Sequence, residues 1–248
     1  MKGVRLDIHL AEAGLLESLE FAQRVIRAGQ IRVNGQLVDK PNALVREGDS
    51  CEVIAPPRFV SRGGDKLLAA LDAFPVTPKD CRCVDIGSST GGFTDCMLQH
   101  GAVHVVDVDV GKGQLHWKLR NDPRVTVMEG VNARYLTPAD LPYAPEWASV
   151  DVSFISLTKV LPALIDVLAR QAEIITLIKP QFEASRRQVQ KGGVVRSDAV
   201  RQECIEAVRA FGTERLRLRW NGVVESPVRG PAGNVEFLAH WTKTGESL

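Results

Sequence analysis

The chain has 248 residues, of which 44% are hydrophobic and 25% charged, and its formal net charge at pH 7 is +1. This length and composition are typical of a soluble globular protein that buries its core without disulfide staples. Because the net charge shows no basic excess, any nucleic-acid binding must depend on where individual basic residues lie.

Cysteine spacing and hydropathy narrow the class further. The five cysteines form no C-x-x-C pair, so we expect reduced thiols, no disulfide framework and no metal site. No apolar run approaches the ~18 residues that a membrane helix needs, and the best candidate, residues 160–168, contains Asp166. The charged N-terminus does not fit a secretory signal. We therefore expect a cytoplasmic protein with no membrane partner. The sequence carries no mark of an oligomeric state.

The first 55 residues have a pattern of their own. Leucines predict a short helix and a turn at positions 6, 10, 15 and 16. Apolar residues at helical spacing predict a second helix over residues 18–28, ended by Gly29. Asn34-Gly35 predicts a hairpin between short strands at residues 31–33 and 36–38, and residues 51–54 predict a third strand. The segment therefore predicts a small α+β unit.

Basic residues in this unit form a candidate phosphate-binding stripe. Arg24 and Arg27 share one face of the second helix, and Arg32 and Lys40 lie near the hairpin that follows. Such a stripe can hold nucleic-acid phosphates. An ordinary solvated helix face is the alternative, and charge alone leaves both interpretations open.

A proline-containing linker, residues 55–58, separates this unit from a segment in which strands and helices alternate. Strands are predicted at residues 82–86, 103–108, 125–128, 150–154, 174–178, 216–224 and 235–241. Helices are predicted at residues 92–99, 157–168 and 199–211. This alternation predicts an α/β domain with a mostly parallel, doubly wound sheet, closed by an antiparallel hairpin.

A glycine-rich turn between the first of these strands and its helix predicts a ligand site. Its spacing departs from the dinucleotide pattern G-x-G-x-x-G, and its acidic residue suits a ligand with an ammonium group, which favours S-adenosylmethionine over NAD. The candidate contacts are Asp85, Gly87, Ser88, Ser89, Thr90, Gly91, Gly92 and Phe93. Asp109, 22 residues after Gly87, is expected to accept hydrogen bonds from ribose hydroxyls. Asn132 is a candidate contact to the adenine edge.

Four charged residues stand near predicted element ends: Lys66, Asp151, Lys179 and Glu236. Lys66 opens a helix, Asp151 lies on the fourth strand, Lys179 ends the fifth and Glu236 begins the last. In an open α/β sheet the carboxyl ends of central strands face the ligand crevice. A buried charge needs a partner, so structural salt bridges are the alternative to a shared catalytic role.

Two resemblances add to this interpretation, and the first concerns the N-terminal unit. Arg5-Leu6-Asp7, the segment from Gly29 to Gly35 and the strand after Gly48-Asp49 resemble a small RNA-binding domain. That domain is shared by a ribosomal small-subunit protein, pseudouridine synthases and tyrosyl-tRNA synthetases. It usually has Arg after the Ser that opens its second helix, where this chain has Leu19. The predicted RNA contacts are Arg5, Arg24, Arg27, Arg32 and Lys40, together with Arg62.

The second resemblance covers nearly the whole chain. Residues 61–67, 85–95, 113–120, 122–125, 179–183 and 191–196 resemble the TlyA family, often labelled haemolysin A. This family joins the same RNA-binding domain to an FtsJ-like methyltransferase with a Rossmann-like, seven-stranded sheet. The resemblance implies an RNA-binding domain over residues 1–55, a linker over 56–64 and a methyltransferase domain over 65–248. It also implies ribosomal RNA in ribosomal subunits as partner and methylation of a ribose 2'-hydroxyl, with cytidine as the nucleoside.

FtsJ-like enzymes carry a Lys-Asp-Lys-Glu tetrad, and Lys66, Asp151, Lys179 and Glu236 fall on its positions. We expect Lys179 to take the proton of the 2'-hydroxyl, with Lys66 and the sulfonium favouring its neutral form. Asp151 and Glu236 would orient the two ammonium groups. The alternatives are an RNA-binding assembly factor with a dormant methyltransferase fold and a membrane-active haemolysin.

Overall fold

The computed structural model describes residues 3–54, 58–230 and 232–245. The chain divides into two compact units, residues 1–58 and 59–248. Most of the predicted proline linker, residues 55–57, lies outside the described residues. Phe59, inside the predicted linker 56–64, is only 3% exposed and packs in the core of the second unit. The domain bounds 1–55 and 65–248 stay a prediction.

The first unit is a small α+β fold. Its elements are β1 (Val4–Arg5), α1 (Leu6–Glu12), α2 (Leu19–Arg27), β2 (Ile31–Val33), β3 (Gln36–Leu37), β4 (Leu44–Val45) and β5 (Cys51–Val53). Strand β2 pairs antiparallel with β3 and with β5, and β1 pairs antiparallel with β4. Apolar side chains of both helices pack with Ile31 and Val45 in one buried cluster. The two predicted helices, the hairpin and the third strand are confirmed.

Local chemistry explains the borders of α2 and of the hairpin. The Ser18 hydroxyl accepts a hydrogen bond from the Phe21 amide (3.2 Å), which caps the helix N-terminus. Gly29 follows the helix with φ +68°, the left-handed conformation that ends many helices. Asn34 (φ +51°) and Gly35 (φ +79°) take the two left-handed positions that a tight hairpin requires.

The second unit is built around one large sheet. Its strands are β6 (Arg82–Ile86), β7 (His104–Asp109), β8 (Val125–Glu129), β9 (Trp147–Val150), β10 (Gln171–Ile178), β11 (Arg219–Glu225) and β12 (Phe237–Thr244). Its α-helices are α3 (Gly63–Ala73), α4 (Gly92–Gln99), α5 (Trp117–Arg120), α6 (Leu161–Val167), α7 (Pro180–Glu183) and α8 (Asp198–Ala210). Short 3-10 turns lie at Ala133–Tyr135, Pro138–Asp140 and Leu157–Lys159, and a π-helical turn lies at Phe211–Arg215.

The strand order is β11-β12-β10-β9-β6-β7-β8. Strands β10, β9, β6, β7 and β8 run parallel, whereas β12 pairs antiparallel with both β10 and β11. The prediction of a mostly parallel, seven-stranded sheet closed by an antiparallel hairpin is confirmed. Such a sheet brings the carboxyl ends of its central strands to one edge.

Apolar side chains cover both faces of this sheet, as a doubly wound fold requires. Val84 and Ile86 of β6 pack on one face with residues of α6 and α8. Cys83 of the same strand packs on the other face with residues of α3 and α4. Since successive strand residues point to opposite faces, Asp85 shares the face of Cys83.

The predicted strand at residues 150–154 is wrong in position, because β9 covers Trp147–Val150. Asp151 therefore follows the strand, although the Asp151 amide still donates to Ile86 O (2.9 Å). The chain then leaves the sheet, and Phe154 takes φ +64°. An extended loop and a short strand share the same apolar alternation, so periodicity could not separate them.

Smaller corrections concern element ends. The chain continues helically through Phe211–Arg215, so β11 begins at Arg219 and not at residue 216. Strand β12 begins at Phe237, which places Glu236 just before it. Strand β10 ends at Ile178, which places Lys179 just after it. Lys66 lies in the first turn of α3, which begins at Gly63.

Candidate active site

Two adjoining clefts lie at the carboxyl edge of the large sheet. The smaller has a volume of about 280 Å³ and the larger about 530 Å³. Gly87, Ser89, Asp151 and Ser153 line both. The two clefts therefore form adjacent parts of one candidate site, at the position where open α/β sheets bind ligands.

The glycine-rich turn forms the wall between the clefts. Gly87 and Gly91 have φ values of +81° and +90°, and Ser89 has φ +52°. A Cβ at Gly87 would stand 2.4 Å from the Asp151 carbonyl oxygen, so this position requires glycine. The turn is thereby held directly against the chain that leaves β9.

The larger cleft combines an apolar slot with polar groups. Asp109 accepts hydrogen bonds from the Ser89 amide (2.8 Å) and the Gly111 amide (2.6 Å). Asn132, also in the lining, accepts one from the Arg134 amide (3.1 Å). The apolar part of the lining consists of Ile86, Val108, Val110, Val131, Ala133, Val152, Phe154, Ile155 and Val160. The slot can hold a flat apolar group beside a carboxylate.

Most of the predicted cofactor contacts reach these clefts. The predicted residues that line one or both clefts are Gly87, Ser88, Ser89, Thr90, Gly92, Phe93, Asp109 and Asn132. Gly91 instead packs against α5, since a Cβ there would stand 2.3 Å from the Leu119 side chain. The role of each contact in cofactor binding stays a prediction.

Asp85 lies in the core and not among the cleft-lining residues. Its side chain is 0% exposed, and its carboxylate accepts hydrogen bonds from Thr94 Oγ1 (2.7 Å) and Ser149 Oγ (2.7 Å). The strand alternation that aims Cys83 into the core aims Asp85 there too. The structure therefore does not support a direct cofactor contact by the Asp85 side chain.

The four charged residues of the predicted tetrad come together as two ion pairs. Lys66 Nζ lies 2.6 Å from Glu236 Oε2, and Lys179 Nζ lies 2.6 Å from Asp151 Oδ1. All four line the smaller cleft. Both lysines are 8% exposed and Glu236 is 1% exposed. The two lysine–carboxylate pairs therefore meet in one cleft, where the side chains of Lys66, Lys179 and Glu236 are largely buried.

Three residues that contact or make room for the two ion pairs were not predicted. Ser153 Oγ accepts a hydrogen bond from Lys179 Nζ (2.9 Å), and Gln181 Nε2 donates to Glu236 Oε1 (3.0 Å). A Cβ at Gly230 would stand 2.4 Å from Glu236 Oε1, so glycine makes room for this carboxylate. The proximity of Ser153 and Gln181 to Asp151 and Lys179 in the sequence was the available signal.

The predicted RNA contacts are exposed on their units. Arg24, Arg27, Arg32 and Lys40 are exposed on the first unit. Arg5 is exposed too, but it forms an ion pair with the buried Asp7 carboxylate (2.7 Å). In the second unit, exposed Arg62 lines the smaller cleft, as does the unpredicted Arg229. Their contacts with RNA stay a prediction.

Among residues 3–54, 58–230 and 232–245, no helix is both long and apolar enough to cross a membrane. Within the same residues, no group of three or more His, Cys, Asp or Glu side chains is placed to hold a metal ion.

Comparison with known proteins identifies two domain families in the chain. Residues 59–243 match the FtsJ-like methyltransferase family, and residues 4–51 match the S4 domain. The "16S/23S rRNA (cytidine-2'-O)-methyltransferase TlyA" of Mycobacterium tuberculosis is 44% identical over 97% of this chain and 90% of its own length. "Hemolysin A" of Brachyspira hyodysenteriae is 41% identical over 96% of this chain and 99% of its own length.

A solved structure is similar over both units. The "Putative hemolysin from Streptococcus thermophilus" superposes with a TM-score of 0.76 at 44% identity, covering 98% of this chain and 90% of that one.

Proposed function

The chain belongs to the TlyA group of FtsJ-like methyltransferases, and we propose that it methylates a ribose 2'-hydroxyl of ribosomal RNA with S-adenosylmethionine as donor. The nucleoside is cytidine, as in the name of the Mycobacterium tuberculosis relative. One observation carries the proposal: two lysine–carboxylate pairs converge in one cleft beside the glycine-rich turn.

The larger cleft fits the cofactor by the chemistry of its lining. Its apolar slot suits a purine, and the Asp109 carboxylate suits a pair of ribose hydroxyls. Asn132 lies in the same lining as a hydrogen-bonding group for a base edge. When bound, S-adenosylmethionine supplies an electrophilic methyl group on a sulfonium. Residues Ser88, Ser89 and Thr90 of the glycine-rich turn would hold its remaining polar groups.

In this proposal Lys179 takes the proton that the 2'-hydroxyl loses. A neutral lysine accepts that proton on Nζ, and Asp151 at 2.6 Å stabilises the ammonium group that results. Ser153 fixes the direction of the same nitrogen. The Lys66 ammonium, held by Glu236, adds a second cation to the cleft, and Gln181 holds Glu236 in turn. These contacts fix the position of Lys179 Nζ, which accepts the proton. Such positioning can contribute as much to the rate as the proton transfer itself.

Removal of the Asp109 carboxylate should weaken cofactor binding. We expect Asp109→Ala to raise the Kd for S-adenosylmethionine by about 10- to 100-fold, since hydrogen bonds to a charged group contribute roughly 1.5–3 kcal/mol. Isothermal titration calorimetry measures this change. Asp72→Ala, which removes an exposed carboxylate from α3, is the matched control. An Asp109→Ala protein that binds the cofactor like wild type would remove Asp109 from the site.

The S4 domain should supply affinity for RNA without affecting the cofactor. We expect the double variant Arg24→Ala/Arg27→Ala to bind ribosomal RNA more weakly. The slope of log affinity against log salt concentration should become shallower by about 2, since each lost phosphate contact removes about 1 from it. Filter binding over a salt series tests this, with S-adenosylmethionine affinity as an internal check. Arg209→Ala, an exposed helical arginine of the second unit, is the control. An unchanged salt slope would show that these arginines do not contact phosphates.

The proposed function is tested by methyl transfer from labelled S-adenosylmethionine to ribosomal subunits from a strain that lacks this gene. We expect label in the ribosomal RNA of at least one subunit. Cofactor binding without incorporation into either subunit or naked ribosomal RNA would contradict an enzymatic role and favour an RNA-binding assembly factor.

A further inference from the structure

Two buried carboxyl groups lie directly beneath the glycine-rich turn. Asp85 of β6 and Asp107 of β7 are register partners on neighbouring parallel strands. Their exposed fractions are 0% and 1%. Neither residue belongs to the two ion pairs of the active site, and neither lines a cleft. Buried carboxylates without a cationic partner are costly, so this pair requires an explanation.

The four carboxylate oxygens of the pair face only three hydroxyl protons, so one oxygen would have no hydrogen-bond donor if both groups were ionised. Ser149 Oγ donates to one oxygen of Asp85 (2.7 Å), and Ser88 Oγ donates to one oxygen of Asp107. The other oxygen of each contacts the same hydroxyl, Thr94 Oγ1, at 2.7 Å for Asp85 and 3.2 Å for Asp107. A threonine hydroxyl has a single proton and can donate it to only one of them.

We propose that Asp85 and Asp107 share one proton through Thr94, and that this protonated pair positions Ser88 of the glycine-rich turn for cofactor binding. One carboxyl O–H donates to Thr94 Oγ1, and Thr94 donates to the other carboxylate, so every polar atom of the cluster is satisfied. The two acids are positioning residues, because they act through Ser88 and Thr94. The inference rests on the proposed function only in naming S-adenosylmethionine as the ligand of the turn.

The electrostatic surroundings favour retention of this proton. Burial, followed by the charge of Asp107, raises the pKa of Asp85 to about 7, and burial raises the pKa of Asp107 to about 6. The charges that raise the two pKa values are those of carboxylates: Asp151 after β9 acts on Asp85, and Asp109 of β7 and Glu129 of β8 act on Asp107. Asp151 and Glu129 are themselves paired with Lys179 and Arg120. On α4, Asp95 is paired with Lys118. Because the two carboxyl groups interact, loss of the proton is described by one apparent pKa of the pair.

Loss of the proton should disturb the turn. Two carboxylates would then face one hydroxyl proton, and their repulsion would displace Ser88 or Thr94. Ser88 lines the smaller cleft, and Thr94 lies in the first turn of α4. Cofactor affinity should therefore fall as the pH rises through neutrality.

The same pair also predicts how the free energy of unfolding changes with pH. The folded state binds the proton more tightly than the unfolded chain, whose aspartates have pKa values of about 4. The stabilisation from the pair is therefore fully present below pH about 4 and is lost as pH rises to about 7. Groups whose pKa is lowered on folding act in the opposite direction, at more acidic pH.

The test compares wild type with Asp107→Asn and Asp85→Asn. An asparagine at position 107 donates to Thr94 at every pH, which mimics the protonated acid. Urea unfolding from about pH 5.5 to 8.5 gives the stability profile. Calorimetry with S-adenosylmethionine over the same range gives the Kd. We expect the wild-type protein to lose about tenfold in affinity per pH unit above the apparent pKa, and Asp107→Asn to flatten both profiles.

Infrared spectroscopy of the wild-type protein provides a measurement that needs no variant to fold. We expect the spectrum recorded at about pH 6 to contain the C=O band of a protonated carboxyl group. This band should disappear as the pH is raised, and it should change in Asp85→Asn or Asp107→Asn if that variant folds. Absence of that band, or variant profiles parallel to wild type, would overturn the shared proton. If wild type binds no S-adenosylmethionine at any pH, the proposed cofactor fails, whereas the stability profile and the infrared band still decide on the acid pair.

Discussion

Replacement of Lys179 by alanine should reduce methyl transfer to ribosomal RNA by roughly a hundred- to ten-thousand-fold, the range typical of a positioned acid or base. Cofactor binding should stay close to wild type, because Lys179 lines the smaller cleft and not the larger one proposed for the cofactor. Single-turnover kinetics with saturating S-adenosylmethionine separates the two effects, because it reports the chemical step directly.

Two further variants sharpen this prediction. Lys179→Met keeps most of the side-chain volume and should lose as much activity as Lys179→Ala, which separates the charge from packing. Lys159→Ala removes an exposed lysine after Ser156 and should behave like wild type. Wild-type turnover in Lys179→Ala with intact cofactor binding would refute the assignment of Lys179 as the base.

Gly87→Ala should impair both folding stability and activity. The new Cβ would stand 2.4 Å from the Asp151 carbonyl oxygen, and φ at this position is +81°. We expect a loss of about 2–4 kcal/mol in the free energy of unfolding, from overpacking against rigid backbone and left-handed strain. The displaced Asp151 should also lower kcat, because its carboxylate pairs with Lys179. Urea unfolding and steady-state kinetics measure the two losses.

Gly113→Ala is the matched control for backbone strain. Gly113 has φ +69°, but no heavy atom lies within 4 Å of its ideal Cβ position. The free energy of unfolding of Gly113→Ala should therefore fall only by the cost of left-handed strain, roughly 1 kcal/mol. Equal destabilisation by Gly87→Ala and Gly113→Ala would show that the contact with Asp151 is unimportant.

Several parts of the fold could be predicted because their signals are local. Asn34-Gly35 specifies a hairpin by its tolerance of positive φ, and the structure has both residues there in that conformation. Short apolar-rich segments bounded by turns predicted central parallel strands such as β6 and β7, although an aspartate interrupts each of them. The two-residue strands β1 and β4 were not predicted, because two residues carry no periodicity.

The sequence identified most residues of the site but not the direction in which each side chain points. The glycine-rich turn and Asp109 follow from their spacing along one βαβ unit. Lys66 and Glu236 are separated by 170 positions, so only the family resemblance brought them together before the structure did. Asp85 shows the limit of motif reasoning, since its position in the motif suggested a ligand whereas strand alternation turns its side chain into the core.

The most direct test of the central claim is the chemical identity of the methylated nucleoside. Ribosomal RNA from a strain lacking this gene would be methylated by the purified protein, digested to nucleosides and analysed by mass spectrometry against unmethylated RNA. We predict 2'-O-methylcytidine that is absent from the Lys179→Ala reaction. A methyl group on a base, or a product that persists in Lys179→Ala, would contradict ribose methylation by this cluster.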